Sequence, residues 1–337
     1  MDSARLRRMW HSRRWPAWAW LPLAWLYGAL AQVPRWAYRW GWRQAEHAGI
    51  PTLVIGNVVA GGAGKTPVTL ATVQHLQARG WRPGIVARGY GRHLNDCRAV
   101  HPDSEAWAVG DEPLLLARAS GVPVYVAPQR IAAARALRAA HPEVNILLCD
   151  DGLQHHALAR DLDICVFHDQ GIGNGWLLPA GPLREAWPRP VDAILYAGPC
   201  PPLPSPSTPH FAVQRRLAPY AVSADGTRIP VHTLLHRPVH AIAAIARPED
   251  FFAMLRSQGL HLAHTEGLPD HFDFKSWKRL SSKGETLICT EKDATKLWPL
   301  HPDALAMPLC LNIDPAYTQW LDGQLRHLSL NATPTSP

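Results

Sequence analysis

The run Asn57-Val58-Val59-Ala60-Gly61-Gly62-Ala63-Gly64-Lys65-Thr66-Pro67 carries the clearest chemistry in the chain. Glycines let backbone N–H groups turn inward around phosphate oxygens. A lysine ammonium then reaches the terminal phosphates, and a threonine hydroxyl ligates magnesium. Gly61, Gly62, Ala63, Gly64, Lys65 and Thr66 are therefore expected to cradle a nucleoside triphosphate. The strict spacing of such loops wants glycine where Val59 stands, so the reading rests on context. The apolar strand Leu53-Val54-Ile55 precedes the loop, and a helix opens at Pro67, where a missing N–H costs nothing.

Acidic and basic groups follow at telling places. The apolar run Asn145–Cys149 ends in Asp150-Asp151-Gly152-Leu153-Gln154-His155-His156. Two carboxylates closing a strand downstream of a phosphate loop suit Mg2+, which takes oxygen ligands and keeps some waters. Asp111, in Gly110-Asp111-Glu112-Pro113, fits two roles equally: cap of the next helix, or base for a substrate hydroxyl. Arg184 and Glu185, closing Gly181-Pro182-Leu183-Arg184-Glu185, suit charge on a transferring phosphoryl group and a further metal ligand; a surface ion pair is the other reading. Arg130 opens a helix after Pro128-Gln129. Asp270-His271-Phe272 and Thr290-Glu291-Lys292-Asp293 are polar clusters beside apolar elements.

The elements that must position these groups alternate. Short apolar runs at Thr52–Gly56, Gly84–Ala87, Val122–Val126, Asn145–Cys149, Asp163–Phe167 and Ala193–Tyr196 are separated by helical stretches at Pro67–Arg79, Glu112–Ala119 and Gln129–Ala140. That order implies βαβ units and a mainly parallel sheet, an α/β nucleotide-binding domain over 44–198. Gly198–Pro209 carries six prolines and reads as a stiff connector. Phe211–Val222 and Arg228–Leu235 then suggest a two-stranded ribbon around Asp225-Gly226, so 199–238 is expected to be connector and ribbon. His240–Ile245, Pro248–Gln258, Thr286–Thr290 and Pro308–Asn312 form a second α/β pattern, a smaller domain over 239–330. Residues 331–337 read as a disordered tail.

The chain has 337 residues and a formal net charge of +7, which favours an anionic partner. Nucleic acid is excluded because the arginines gather at one end without a recognition motif. The six cysteines form no C-x-x-C pair and read as reduced thiols. Trp10, Trp15, Trp18, Trp20, Trp25, Trp36, Trp40 and Trp42 share the first 43 residues with eight arginines. Trp15–Pro34 is charge-free and long enough to span a bilayer, but Pro16 and Pro22 interrupt it and arginine flanks both ends. Residues 1–43 are expected to form a helical segment lying in the membrane interface, where tryptophan and arginine are both satisfied.

Asn57 through Pro67, Ala87-Arg88-Gly89-Tyr90-Gly91, Gly110–Pro113, Asp150–His155, Gly181–Glu185, Asp270-His271 and Thr290–Asp293 together resemble the tetraacyldisaccharide 4′-kinase family, in its order and spacing. The resemblance covers the chain to about residue 300. It implies a P-loop fold with a smaller C-terminal α/β domain joined by a two-stranded ribbon. It implies transfer of the ATP γ-phosphate to the 4′-hydroxyl of a tetraacylated glucosamine disaccharide 1-phosphate, at the cytoplasmic face of the inner membrane. It gives Asp111 and His271 the role of a base dyad, and Lys65 and Arg184 catalytic roles. Thr66, Asp150, Asp151 and Glu185 become the Mg2+ site, and Arg130, Gln154 and His155 contacts to phosphate and substrate. Ala63 and Leu153 depart from the family's usual threonine and phenylalanine without removing a needed group. From the residues alone, a P-loop ATPase or GTPase switch is the competing reading.

Overall fold

The computed structural model describes residues 9–10, 12–15, 17–61, 64–270, 272–279 and 284–331. Their fifteen strands are β1 (Thr52–Gly56), β2 (Pro83–Ala87), β3 (Arg98–Val100), β4 (Val124–Val126), β5 (Ile146–Asp150), β6 (Leu162–Phe167), β7 (Ala193–Tyr196), β8 (His210–Leu217), β9 (Tyr220–Val222), β10 (Arg228–Pro230), β11 (Val239–Ala243), β12 (Leu262–Gly267), β13 (Thr286–Thr290), β14 (Leu305–Met307) and β15 (Leu309–Ile313). The helices are α1 (Leu21–Arg39), α2 (Lys65–Ala78), α3 (Ala106–Val109), α4 (Asp111–Ser120), α5 (Arg130–Ala140), α6 (Pro248–Ser257), α7 (Glu291–Leu297) and α8 (Pro315–Asn331).

A nine-stranded sheet runs β15-β8-β7-β6-β1-β5-β2-β4-β3. The seven strands from β8 to β4 are parallel, and only β15 and β3 run against their neighbours. Strands β1, β2 and β5 are buried at every position, as expected where helices cover both faces of a parallel sheet. Alternation then splits each strand between two cores. Leu53 and Ile55 pack with Val68, Leu114 and Tyr317, beneath α2, α4 and α8. Val54, between them, packs on the other side with Ile131 and Leu137 of α5.

The second sheet runs β10-β9-β14-β13-β11-β12, parallel from β14 to β12. The turn at Asp225-Gly226 joins β9 to β10 as a hairpin, in line with the sequence. The longer ribbon expected there does not form. The chain breaks at Ala218-Pro219: β8 stays in the large sheet and β9 enters the small one. The return crossing is at Pro308, between β14 and β15, and the Ala218 amide donates to the Pro308 carbonyl at 2.8 Å. The ribbon between the sheets is thus β8 with β15, paired from Leu217↔Leu309 to Val213↔Ile313. Residues 309–331 consequently belong with the large sheet, not with the smaller unit that 239–330 was expected to form. The reason is packing: α8 buries Tyr317, Leu321 and Leu325 in the large sheet's core. Of the tail expected over 331–337, Asn331 ends α8 and residues 332–337 lie outside the described residues.

At the N-terminus, α1 keeps Trp25, Leu26, Leu30, Val33 and Trp36 exposed, flanked by exposed Trp15, Trp18, Trp40 and Trp42. Among the described residues no helix is long and apolar enough to cross a membrane.

Candidate active site

The phosphate loop is built at the C-terminal end of β1, next to β5 and β6. Gly64 takes φ 76°, a left-handed turn that suits glycine, and α2 begins at once with Lys65 and Thr66 rather than at Pro67. The free N–H groups of that first turn therefore face the loop. Asn57 is fully buried and holds the loop at both ends: Nδ2 donates to the Val59 carbonyl at 2.6 Å, and Oδ1 accepts from Lys65 Nζ at 3.2 Å. Val59 replaces the usual glycine for a visible reason. It pairs with Leu183 and shares that residue's core, while Ala60 N donates to Pro182 O and Arg184 N to Val58 O, both at 2.7 Å. Gly62 and Ala63 lie outside the described residues.

Strand β5 delivers the paired acids beside this loop. Asp150 is 3 % exposed and accepts from Thr69 Oγ1 at 2.9 Å. Burial, with the Glu112 and Asp151 carboxylates, pushes its pKa up to about 7 against the pull of Lys65. Asp151 turns out of the strand at φ 50°. Its carboxylate faces Lys65 at 3.6 Å and Arg184 Nη1 at 3.2 Å. Burial opposes ionisation there, but Lys65 and Arg184 outweigh it, and the carboxyl lies below its ordinary pKa. Two acids on adjacent residues are thus driven apart: one ionised and balanced, the other buried with excess negative charge around it. Thr66, Asp150 and Asp151 supply oxygen donors only, which fits Mg2+. Among the described residues no group of three or more His, Cys, Asp or Glu is spaced to hold a metal.

Several residues expected at the metal or the substrate meet protein groups in this structure. Glu185, expected on the metal, accepts from Arg189 Nη1 with both oxygens, at 3.1 and 3.2 Å, and from Gln154 Nε2 at 2.6 Å. The reason is that Arg189, 9 % exposed, needs buried counter-charge, which Glu185 and Asp163 provide. Gln154 also donates to the Asn57 carbonyl at 3.0 Å. His155 Nε2 accepts the Arg130 amide at 3.0 Å, so the ring is neutral; burial first, then Arg130, Arg160 and Arg88, lowers its pKa to about 4. Arg130, 4 % exposed, donates to the Asp151 carbonyl at 3.0 Å. These three residues brace the acidic loop.

Asp111 is the first residue of α4, with Gly110 in the capping place and no side-chain cap there. The cap reading therefore fails. The carboxylate, 7 % exposed, meets Lys296 Nζ of α7 at 2.6 Å. Lys292, one turn earlier on α7, reaches Asp270 at 2.9 Å, and Lys296 also donates to the Phe272 carbonyl at 3.3 Å. His271, between those two partners in sequence, lies outside the described residues. Lys296 escaped the sequence reading. Its signal was spacing, because residues four apart on a helix share a face and Lys292 had already been singled out.

The exposed helix α1 docks beside the same centre. Tyr27 Oη donates to the Arg184 carbonyl at 3.0 Å, and a Cβ on Gly28 would stand 2.6 Å from Leu177 Cδ1. Trp10 Nε1 donates to Pro179 O at 3.0 Å and Trp18 meets Trp176 edge-on. The segment 176–184 therefore carries Arg184 to Asp151 on one side and the aromatic helix on the other.

The family model described as LpxK, tetraacyldisaccharide-1-P 4′-kinase, matches residues 16–326. The chain belongs to the tetraacyldisaccharide 4′-kinase family. A tetraacyldisaccharide 4′-kinase of Acidovorax sp. (strain JS42) is 60% identical over 327 residues, 97% of this chain and 96% of the relative. That of Verminephrobacter eiseniae is 61% identical over 320 residues, 94% of this chain and 74% of the relative. In fold, the chain is similar to the crystal structure of an "apo" form of LpxK from Aquifex aeolicus in complex with ATP. The TM-score is 0.79 at 24% identity, covering 92% of this chain and 98% of that one. The P-loop α/β fold expected of this kinase family is the fold observed.

Proposed function

We propose that this chain is a lipid kinase. It transfers the γ-phosphate of ATP to the 4′-hydroxyl of a tetraacylated glucosamine disaccharide 1-phosphate, at the cytoplasmic face of the inner membrane. One observation carries the reading. The segment from Trp176 to Arg184 joins an exposed aromatic helix to the place where Lys65 faces Asp151, which would bring an acceptor resting in the interface to the phosphates. The exposed aromatic face of α1 suits burial at headgroup depth, and the flanking arginines suit anionic lipid.

Lys65 and the first amides of α2 hold the triphosphate. When ATP enters, Lys65 exchanges its contact with Asp151 for the β and γ phosphates. Thr66, Asp150 and Asp151 would hold Mg2+, which would neutralise charge on the triphosphate when bound. Arg184 donates to the transferring group, where charge spreads over its equatorial oxygens. Asp111 accepts the proton of the 4′-hydroxyl as that oxygen attacks phosphorus and the bond to the ADP oxygen breaks. His271 belongs to this proposal as the partner of Asp111.

The test is transfer of label from γ-labelled ATP to purified disaccharide 1-phosphate in detergent micelles. Labelled lipid is the expected product. ATP hydrolysis with no labelled lipid would instead make the protein a nucleotide switch or ATPase.

A further inference from the structure

We propose that Lys296 is a positioning residue for Asp111, through which the smaller sheet sets the carboxylate that receives the acceptor's proton. The inference rests on the base reading of Asp111 given above.

Three observations meet at this contact. The pair spans the two sheets: Asp111 opens α4, which packs on the large sheet with Leu114, while Lys296 sits on α7 between β13 and β14 of the small one. It is enclosed, with side chains 7 % and 16 % exposed, so solvent does little to screen it. It is also braced from behind. Thr290 Oγ1 caps α7 by accepting the Asp293 amide at 3.2 Å, and Asp293 in turn accepts the Ala244 amide of the small sheet's core at 3.0 Å. Lys292 adds a second tie from the same helix face, to Asp270.

A helix fixed at its first turn, with one lysine held on Asp111 and another on Asp270, is a poor candidate for an incidental surface pair. Incidental pairs are exposed and their side chains are not held elsewhere. Here the ammonium fixes one oxygen of a carboxylate carried by the first residue of α4. A base must be held within a few tenths of an ångström of its working position, and residues outside the reacting groups do that work.

The experiment uses the full chain in mixed micelles with ATP and disaccharide 1-phosphate, comparing wild type, Lys296→Met, Asp111→Asn and Asp111→Asn with Lys296→Met. We expect Lys296→Met to lower kcat on the order of 10- to 100-fold while KM for ATP stays within about twofold. In the Asp111→Asn background the same change should alter kcat by less than about twofold, because a residue acting only through Asp111 has nothing left to position. This arm also covers poor folding of the single variant, since the double variant buries no unpaired charge. Multiplied losses in the double variant, or wild-type kcat in Lys296→Met, would overturn the inference while leaving the kinase reading intact. Wild-type kcat in Asp111→Asn would remove the base reading and this inference with it.

Discussion

Replacing Asp150 by asparagine should abolish Mg2+-dependent phosphoryl transfer and, in metal-free protein, stabilise the fold. Asp150 is buried among Glu112 and Asp151, and its pKa rises from an ordinary 3.8 to about 7. The folded state therefore prefers the neutral carboxyl. That preference is fully satisfied below the unfolded pKa near 4, and the stability it confers is lost as pH rises to and through about 7. Raising the carboxyl from 3.8 to about 7 makes the loss on the order of a few kcal/mol at pH 8. Asparagine imitates the neutral acid and still accepts from Thr69, so it escapes that loss. Urea unfolding in EDTA, followed from pH 4 to pH 8, checks this. The two curves should coincide near pH 4 and diverge upward for Asp150→Asn by pH 8. Mg2+ should then stabilise wild type and do little for the variant. Equal midpoints across the range, or a less stable variant at pH 8, would refute the claim that Asp150 holds uncompensated charge.

Asp111→Ala should lower kcat far more than it raises KM for ATP in the micelle transfer assay, since a proton acceptor acts in the transition state. Replacing exposed Trp25, Leu26 and Leu30 of α1 by alanine should weaken co-sedimentation with anionic vesicles and leave ATP affinity unchanged, as their side chains are exposed to solvent. Tyr317→Phe removes a 3.0 Å bond to Thr72 in a fully buried setting and should cost about 1–3 kcal/mol in urea unfolding, with ATP binding retained.

How much was readable beforehand depended on sequence distance. The phosphate loop and the Asp150-Asp151 pair lie at the ends of adjacent strands, and each is a local pattern of types and spacing. The bracing roles of Gln154 and His155 were less visible, because a polar side chain near a site reads alike whether it faces ligand or protein. The pairing of Glu185 with Arg189 was hidden for a related reason: the partner lies four residues on, yet nothing local says that arginine is buried. The pairing of β8 with β15 was invisible, since edge pairing between distant strands leaves no periodic trace. Pro219 and Pro308 were nonetheless available as hints. Each lacks the N–H a continuing ladder needs, and they stand at the two points where the chain changes sheet.

That double crossing has a consequence for how the molecule comes into being. The small sheet is an insertion between β8 and β15, so the last elements of the chain finish a core begun by the first. A ribosome releases the phosphate-loop unit long before β15 and α8, and until they arrive β8 is an open edge and the seat of Tyr317 is vacant. Contacts between such distant segments close slowly, and an unpaired edge invites wrong partners meanwhile. Biogenesis of this kinase therefore depends on protecting one strand during the time taken to synthesise an entire second sheet.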